Sequence, residues 1–329
     1  MRIVVFGAGG YIGIPLCKAL MHGGHEVVAV DRFFFGKGPT THEVTEVVKA
    51  DSRWFDRSIL KGADAVIDLA GLSNDASAEI DPSLTELINV EGGKRIASCS
   101  YGMDVRRYVY SSSCSIYGGS GKKWLTEESD LVPLTAYARS KREIEQHLAE
   151  CDGMEKVIFR NATVFGVAPR MRFDLAINGM VMRAVTDGLI YVMGGGNQWR
   201  PFIHIDDVVS AFIRAVTDLP AGTYNVGYDR QNLQIGDLAK MVQTLTGAKI
   251  HRIPDQEDRR SYHVSFAKVS QYLSPVPVGV STGIMEVLNA LKAGAIAADD
   301  PTAWTVRWYK NLMKCEELID SIRLDGRVF

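Results

Sequence analysis

The sequence predicts an α/β protein in which a doubly wound parallel sheet is joined to a smaller C-terminal mixed α/β unit. Three observations carry that expectation. Short β-branched and apolar runs alternate with longer amphipathic stretches through the first half of the chain, as strands covered on both faces by helices do. A glycine-rich turn directly follows the first of those runs. Beyond about residue 165 the alternation gives way to helical stretches.

In chain order, Arg2–Phe6 reads as a buried strand, and residues 14–22 as a helix with Leu16, Ala19 and Leu20 on one side. Residues 26–30, 65–69, 107–111 and 156–160 read as further strands, with helices over 83–100 and 136–151 between them. In the second half, 171–186 and 206–218 read as helices, the latter with Asp206 and Asp207 where carboxylates suit the helix dipole. Residues 223–226 read as a strand, and 235–246 and 282–293 as helices. The expected organisation is a first unit over 1–165, rejoined by about 203–229, and a second over 166–329. No Pro/Ser-rich linker separates them, so the two should be packed together.

The balance of 37 basic and 39 acidic residues removes the usual electrostatic reason to expect nucleic acid or an anionic membrane as the main partner. Five cysteines with irregular spacing and no CxxC argue against a disulfide framework or a metal site and fit a reducing, cytoplasmic compartment. No apolar run approaches the roughly 20 residues of a membrane span. The apolar N-terminal run is broken by Gly7, Gly9, Gly10 and Gly13, so it reads as a strand rather than a signal peptide.

Gly7, Gly10 and Gly13 give the spacing GxxGxxG between a strand and a helix. Such a turn must be tight, must let a pyrophosphate approach the backbone, and must let the helix pack close to the strand. Tyr11 and Ile12 lie within it, and the helix N-terminus offers N–H groups to phosphate. Asp31 ends the second strand, 18 residues after Gly13. A carboxylate there accepts hydrogen bonds from an adenosine ribose and repels a 2′-phosphate, which favours NAD, while Arg32 keeps NADP open. Asp51 reads either as an adenine contact or as an ordinary loop carboxylate.

Ser111-Ser112-Ser113-Cys114-Ser115 lies at a strand end, where open α/β sheets place their ligand crevice. Tyr137 and Lys141 follow at helical i, i+4 spacing and share a face. An ammonium beside a phenol is expected to lower the phenol pKa toward the range of a general base.

With these motifs in place the chain resembles the short-chain dehydrogenase/reductase superfamily, in its extended, sugar-nucleotide-modifying branch, with a Rossmann first unit. The resemblance covers most of the chain, through GxxGxxG, Asp31, residues 65–71, Asn89-Val90, the serine strand, YxxxK, 160–166 and 200–207. It implies cofactor contacts from Gly7, Gly10, Tyr11, Ile12, Gly13, Asp31, Arg32, Asp51, Leu69, Ala70, Gly71, Asn89, Ser111, Tyr137 and Lys141. It implies that Lys141 also holds the nicotinamide ribose, that Tyr137 exchanges a proton with a sugar hydroxyl, and that Ser113 hydrogen-bonds the same oxygen. Ser113, Ser115, Asn178, Arg200 and Arg260 are the implied contacts of a nucleoside-diphosphate sugar.

Where dehydratases of that branch carry Asp then Glu, this chain has Cys114 and Ser115, which disfavours dehydration. Cys114 is one residue out of register for the catalytic cysteine of related 3,5-epimerases, so a packed thiol is expected. What remains resembles a UDP-glucose 4-epimerase-like enzyme, acting through a transient 4-keto sugar. A nucleotide-4-ketosugar reductase using NAD(P)H needs the same Ser, Tyr and Lys, and a non-catalytic dinucleotide-sensing protein is the reading outside enzymology. Asp68 stands where the branch often has His. Arg170 and Arg172 read as added anion contacts or as solvated helix charges. The helices over 83–100 and 136–151 resemble the pair that forms a four-helix dimer bundle, so a homodimer is expected.

Overall fold

The computed structural model describes residues 1–119, 124–253 and 260–327. Its main sheet has seven strands: β1 (Arg2–Phe6), β2 (Glu26–Asp31), β3 (Glu46–Lys49), β4 (Ala65–Asp68), β5 (Arg107–Ser113), β6 (Glu155–Asn161) and β7 (Gly222–Val226). They lie in the order β7-β6-β5-β4-β1-β2-β3, and every pairing is parallel. The order reverses between β1 and β4, and such a reversal opens a crevice at the carboxyl ends of the strands.

The apolar runs become strands because each side of the sheet is covered. Ile3 and Val5 join one buried cluster, while Val4 and Phe6 join the other, the period-2 alternation of a strand. On the first side lie α1 (Gly13–His22), packed through Leu16 and Leu20, and a helix over Ile205–Thr217, packed through Val208 and Phe212. On the second lie α2 (Gly92–Gly102) and α3 (Ala136–Ala149), through Ile96, Ala97, Ile144 and Leu148. Thr135 caps α3, its hydroxyl accepting from the Ala138 N–H at 3.1 Å.

Two helices differ from their sequence pattern. The stretch expected as one helix over 83–100 is Pro82–Thr85, a π-helical turn over Glu86–Glu91, and then α2. The helix expected from 171 begins only at Ala176, as α4 (Ala176–Thr186). Residues 171–175 stay out of the helix, and there Arg172 and Asp174 pair with each other at 2.6 Å.

The remaining elements cover the crevice. Thr163–Phe165 pairs with Trp199–His204, which pairs in turn with Asn232–Gln234, and Leu189–Met193 pairs with Lys249–Ile253. The helices Ile205–Thr217, Ile235–Thr246 and Val280–Lys292 become α5, α6 and α7. The chain then runs back toward the first strands as α8 (Thr305–Ile322), a helix with no counterpart in the sequence reading. Trp308 Nε1 donates to the Phe34 carbonyl at 2.7 Å. Among the described residues, no helix is long and apolar enough to cross a membrane.

One buried ion pair joins α3 to the sheet. Glu145 accepts from Arg160 Nη2 at 2.7 Å and from the Ser112 hydroxyl at 2.6 Å. Both partners of the pair are nearly fully buried, with side-chain exposures of 7% and 8%. Removing one partner leaves the other charge unpaired away from water. Glu145→Ala should therefore cost about 3–5 kcal/mol of unfolding free energy in urea titration. A loss under about 1 kcal/mol, the scale of a surface pair, would contradict this account.

Candidate active site

β1 ends at Phe6, and Gly7 turns the chain with φ +79°. A Cβ on Gly7 would lie 2.7 Å from the Leu69 carbonyl carbon, and one on Gly13 would lie 2.2 Å from the Gly7 oxygen. Neither position accepts a side chain without moving backbone, so glycine is what lets the turn pack on the 69–70 segment and α1 begin so close to β1. Gly7 N–H donates to the Val30 carbonyl and Gly10 N–H to Gly7, each at 3.0 Å. Gly7, Gly10, Tyr11, Ile12 and Gly13 line a cleft of about 630 Å³ that continues past Leu69, Ala70 and Gly71 to the end of β5.

Asp31 stands at the end of β2 beside this turn. Its carboxylate accepts from the Gly9 N–H at 3.0 Å and the Phe33 N–H at 2.6 Å. Burial raises its pKa, and those two amides act the other way. Arg32 donates to Asp51 at 2.9 Å and lies 4.5 Å from the Phe34 ring centroid. Arg53 also grips Asp51, through Nε and Nη2, each at 2.9 Å. Burial opposes the Asp51 charge, but the two guanidiniums hold its pKa at about 2. Arg32 thus shares the Asp51 carboxylate with Arg53.

At the other end of the cleft lie Ser111, Ser113, Ser115, Tyr137 and Lys141. Lys141 Nζ donates to the Ser111 carbonyl at 2.7 Å and lies 5.7 Å from the Tyr137 ring centroid. Burial lowers its pKa to about 8, with the Asp68 carboxylate pulling in the opposite direction. Asp68 is itself buried, accepting from the Tyr108 hydroxyl at 2.8 Å and the Ala70 N–H at 3.0 Å. Tyr137 is pushed up to about 12 by burial and by the Asp75 charge, against a Ser113 hydrogen bond and the Arg172 charge. The sequence led to the expectation that Lys141 lowers the phenol pKa. In the structure the ammonium is turned to the Ser111 carbonyl, and the groups acting downward on the phenol are Ser113 and Arg172.

Two expected contact residues are engaged elsewhere. Asn89, expected to touch the cofactor, accepts from the Leu72 N–H at 2.7 Å and donates to Leu72 O and Ser140 Oγ, each at 3.1 Å. It sits in the π-helical turn and braces the 69–72 segment from behind. Asn178, expected to hold a substrate phosphate, is fully buried. Its amide meets the Gly166 N–H, the Arg172 carbonyl and the Tyr11 hydroxyl, each at 3.1 Å. Tyr11 in turn donates to the Gly166 carbonyl at 2.7 Å. These bonds tie the glycine turn to the chain beyond β6, and they leave the Asn178 amide committed to protein.

Arg200 and Arg260 both line the cleft. Arg200 donates to the Trp199 carbonyl at 2.8 Å and to the Arg260 carbonyl, and Arg260 pairs with Asp75. Ser115 Oγ is buried without a hydrogen-bond partner among the described residues. Cys114 is a packed thiol that donates to the Arg160 carbonyl at 3.1 Å, and burial raises its pKa. Arg170 and Arg172 are neither solvated nor helical, being 2% and 6% exposed. Sequence reasoning missed Asp75, the first residue of a short helix over Asp75–Ala78, and Asp174, in the turn before α4, which bring carboxylates to the cleft, and Trp304 and Tyr309, which arrive from the far end of the chain. Only the aromatic density of residues 304–309 could have drawn attention to that last contribution.

The sheet order, the glycine turn between β1 and α1 and the carboxylate at the end of β2 are those of an α/β protein built around a dinucleotide. The chain belongs to the NAD dependent epimerase/dehydratase family, whose sequence model matches residues 3–227. It is 28% identical over 241 residues to the UDP-glucose 4-epimerase of Mycolicibacterium smegmatis, covering 69% of this chain and 77% of the relative. Its fold is similar to that of UDP-glucuronic acid 4-epimerase from Bacillus cereus, solved with UDP-glucuronic acid and NAD, at TM-score 0.77 and 24% identity over 89% of this chain and 99% of that one. It is also similar to TunA, an NAD-dependent NDP-hexosamine 5,6-dehydratase, at TM-score 0.81 and 24% identity over 91% of this chain and all 100% of the other. The cofactor is NAD, and the residues fit it. The glycines of the turn let α1 start close against β1 at the edge of the cleft, Asp31 is oriented by two amides at the end of β2, and Arg32 shares Asp51 with Arg53.

The Asp68 carboxylate favours the Lys141 ammonium. NMR titration of that amine should give a midpoint near 8, and Asp68→Asn should move it lower by about a unit. An unmoved midpoint would show that the Asp68 charge does not reach the amine.

Proposed function

We propose that the chain epimerises a nucleoside-diphosphate sugar at C4 through a transient 4-keto intermediate. One observation carries the reading: Ser113, Tyr137 and Lys141 converge at one end of the dinucleotide cleft, and the two positions after Ser113 bring no carboxylate. Bound NAD supplies the hydride acceptor and donor. Tyr137 takes the proton of the 4-hydroxyl and returns it when the hydroxyl is restored. Ser113 orients that oxygen and stabilises the phenolate by its hydrogen bond. Lys141, anchored by the Ser111 carbonyl, holds the nicotinamide ribose and keeps a positive charge beneath the ring. Ser115 offers its buried hydroxyl to the sugar, and Arg200 and Arg260 receive the diphosphate.

At the cofactor end the proposed contacts are Gly7, Gly10, Tyr11, Ile12, Gly13, Asp31, Arg32, Asp51, Leu69, Ala70, Gly71 and Ser111. The assembly proposed with this activity is a homodimer through α2, α3 and the turns preceding α2. Lys94 and Glu143 already pair across the two helices at 2.6 Å, while Leu87 and Tyr101 remain about half exposed. A light-scattering mass twice that of the chain is the expected result.

The test is a panel of nucleotide sugars read by NMR for product stereochemistry. A C4-inverted product with no added cofactor is expected. A 4,6- or 5,6-dehydrated product, or turnover only with added NADPH, would overturn the reading. Tyr137→Phe should keep its NAD and lose about 10²–10⁴-fold in turnover, the range of general acid–base catalysis. Near-normal turnover in that variant would remove Tyr137 from the mechanism.

A further inference from the structure

Arg170 is the most buried of the buried arginines, and unlike Arg160 and Arg172 it has no carboxylate paired with it among the described residues. It is 2% exposed, and among the described residues its Nε has no hydrogen-bond partner and its one hydrogen bond runs from Nη2 to Thr305 Oγ1 at 2.9 Å. Its Cζ lies 3.6 Å from the Phe35 ring centroid. The Asp174 and Asp300 charges favour it from a distance, and the Thr305 hydroxyl that accepts from it donates in turn to Asp174 at 3.0 Å, but no carboxylate among the described residues pairs with it directly, and a guanidinium left so in a cleft can take an anion.

The position says which anion. Arg170 lines the cleft together with Gly10, Tyr11, Asp31 and Phe35, at the dinucleotide end. Its charge acts on both Tyr11 and Asp31, the residues that flank the glycine turn. Arg200 and Arg260 serve the other end and are tied to Trp199, Asp75 and each other. We propose that Arg170 is a ligand of the NAD diphosphate, reaching the glycine turn from the chain beyond β6 and held there by the first turn of α8.

The C-terminal helix makes that placement possible. Thr305, at the start of α8, takes the Nη2 hydrogen bond, and the Tyr309 ring packs on Phe34 and Phe35 at centroid distances of 6.1 and 5.5 Å. Trp308 holds the Phe34 carbonyl, and Asp300 pairs with Lys37. The segment after Asp31 is thus clamped by the far end of the chain, with the guanidinium inside the clamp. On this account the diphosphate is gripped from two sides, by the glycine turn and by Arg170, and NAD exchanges slowly.

The test uses the full-length holoenzyme without any sugar, so its outcome is independent of the C4 reading. Exchange of bound NAD for fluorescent etheno-NAD is timed in the wild type, in Arg170→Met and in Thr305→Val, beside calorimetric titration of UDP into each. Arg170→Met should exchange about 10- to 100-fold faster, the loss of one or two charge-assisted hydrogen bonds. Thr305→Val, which keeps the charge and removes its anchor, should exchange faster by a smaller factor, and keeps the test open if the methionine variant does not fold. UDP affinity should be unchanged in both. High salt should speed exchange more in the wild type than in Arg170→Met. Unchanged exchange in the variants, or weakened UDP binding with NAD exchange intact, would overturn the proposal.

Discussion

The Glu145–Arg160 ion pair is the constraint on which the geometry of the cleft depends. Tyr137, Lys141 and Glu145 follow one another at four-residue intervals along α3 and so share a face. The last of the three is locked to β6 through Arg160 and to β5 through Ser112. Arg160 also donates to the Tyr117 hydroxyl at 2.9 Å, and Tyr117 passes its own proton to Asn225 on β7 at 2.7 Å. One buried pair therefore fixes the helix against three adjacent strands. Each residue of a helix turns by about 100°, so a slip of one position would carry the phenol and ammonium away from Ser113. Such a pair contributes little net stability compared with apolar packing, and its value lies in permitting one register.

A second constraint acts at the opposite end. The glycine turn is held by its own amides and by the absence of side chains, and Tyr11 then exports its position. Through Gly166 and Asn178, that one hydroxyl links the turn to the start of α4. The elements covering the crevice are thereby referenced to the cofactor turn as well as to the sheet.

These two constraints explain how much was legible in the sequence. The strands were legible because a parallel strand buried on both faces must be apolar throughout, as residues 3–6 and 65–67 are. The glycine turn, Asp31, Tyr137 and Lys141 were legible because each meets a backbone or spacing requirement that few other residues satisfy. The protein partners of Asn89 and Asn178 were not legible because an amide suited to a phosphate oxygen is equally suited to a backbone N–H, and only the fold shows which backbone groups it meets. The start of α4 was misread because the apolar positions Met171 and Phe173 continue the helical pattern while serving a loop. The helix α8 was invisible because Thr305 is its one fully buried residue. It is held by polar and aromatic contacts to residues 33–37, some 270 positions away, as the Trp308–Phe34 separation of 274 illustrates.

The charges of the cleft bear on the chemistry as well as on the fold. Elimination from a sugar needs a carboxyl able to give and take a proton near neutral pH, which requires burial without a cationic partner. Asp75 and Asp174 reach the cleft, but each is paired with an arginine, Arg260 and Arg172 respectively. For Asp174, burial works upward while Arg172, Arg170 and Thr305 work downward, and the downward group prevails. A carboxylate so held is a poor general base and an unavailable acid. Burial and the Asp75 charge work against the Tyr137 phenolate, while the Ser113 hydrogen bond and the Arg172 charge favour it, and it is the phenolate that a base at this position requires. With Asp75 and Asp174 each paired to an arginine, the proton chemistry of this end of the cleft centres on Tyr137, which supports the proposed reversible oxidation at one carbon.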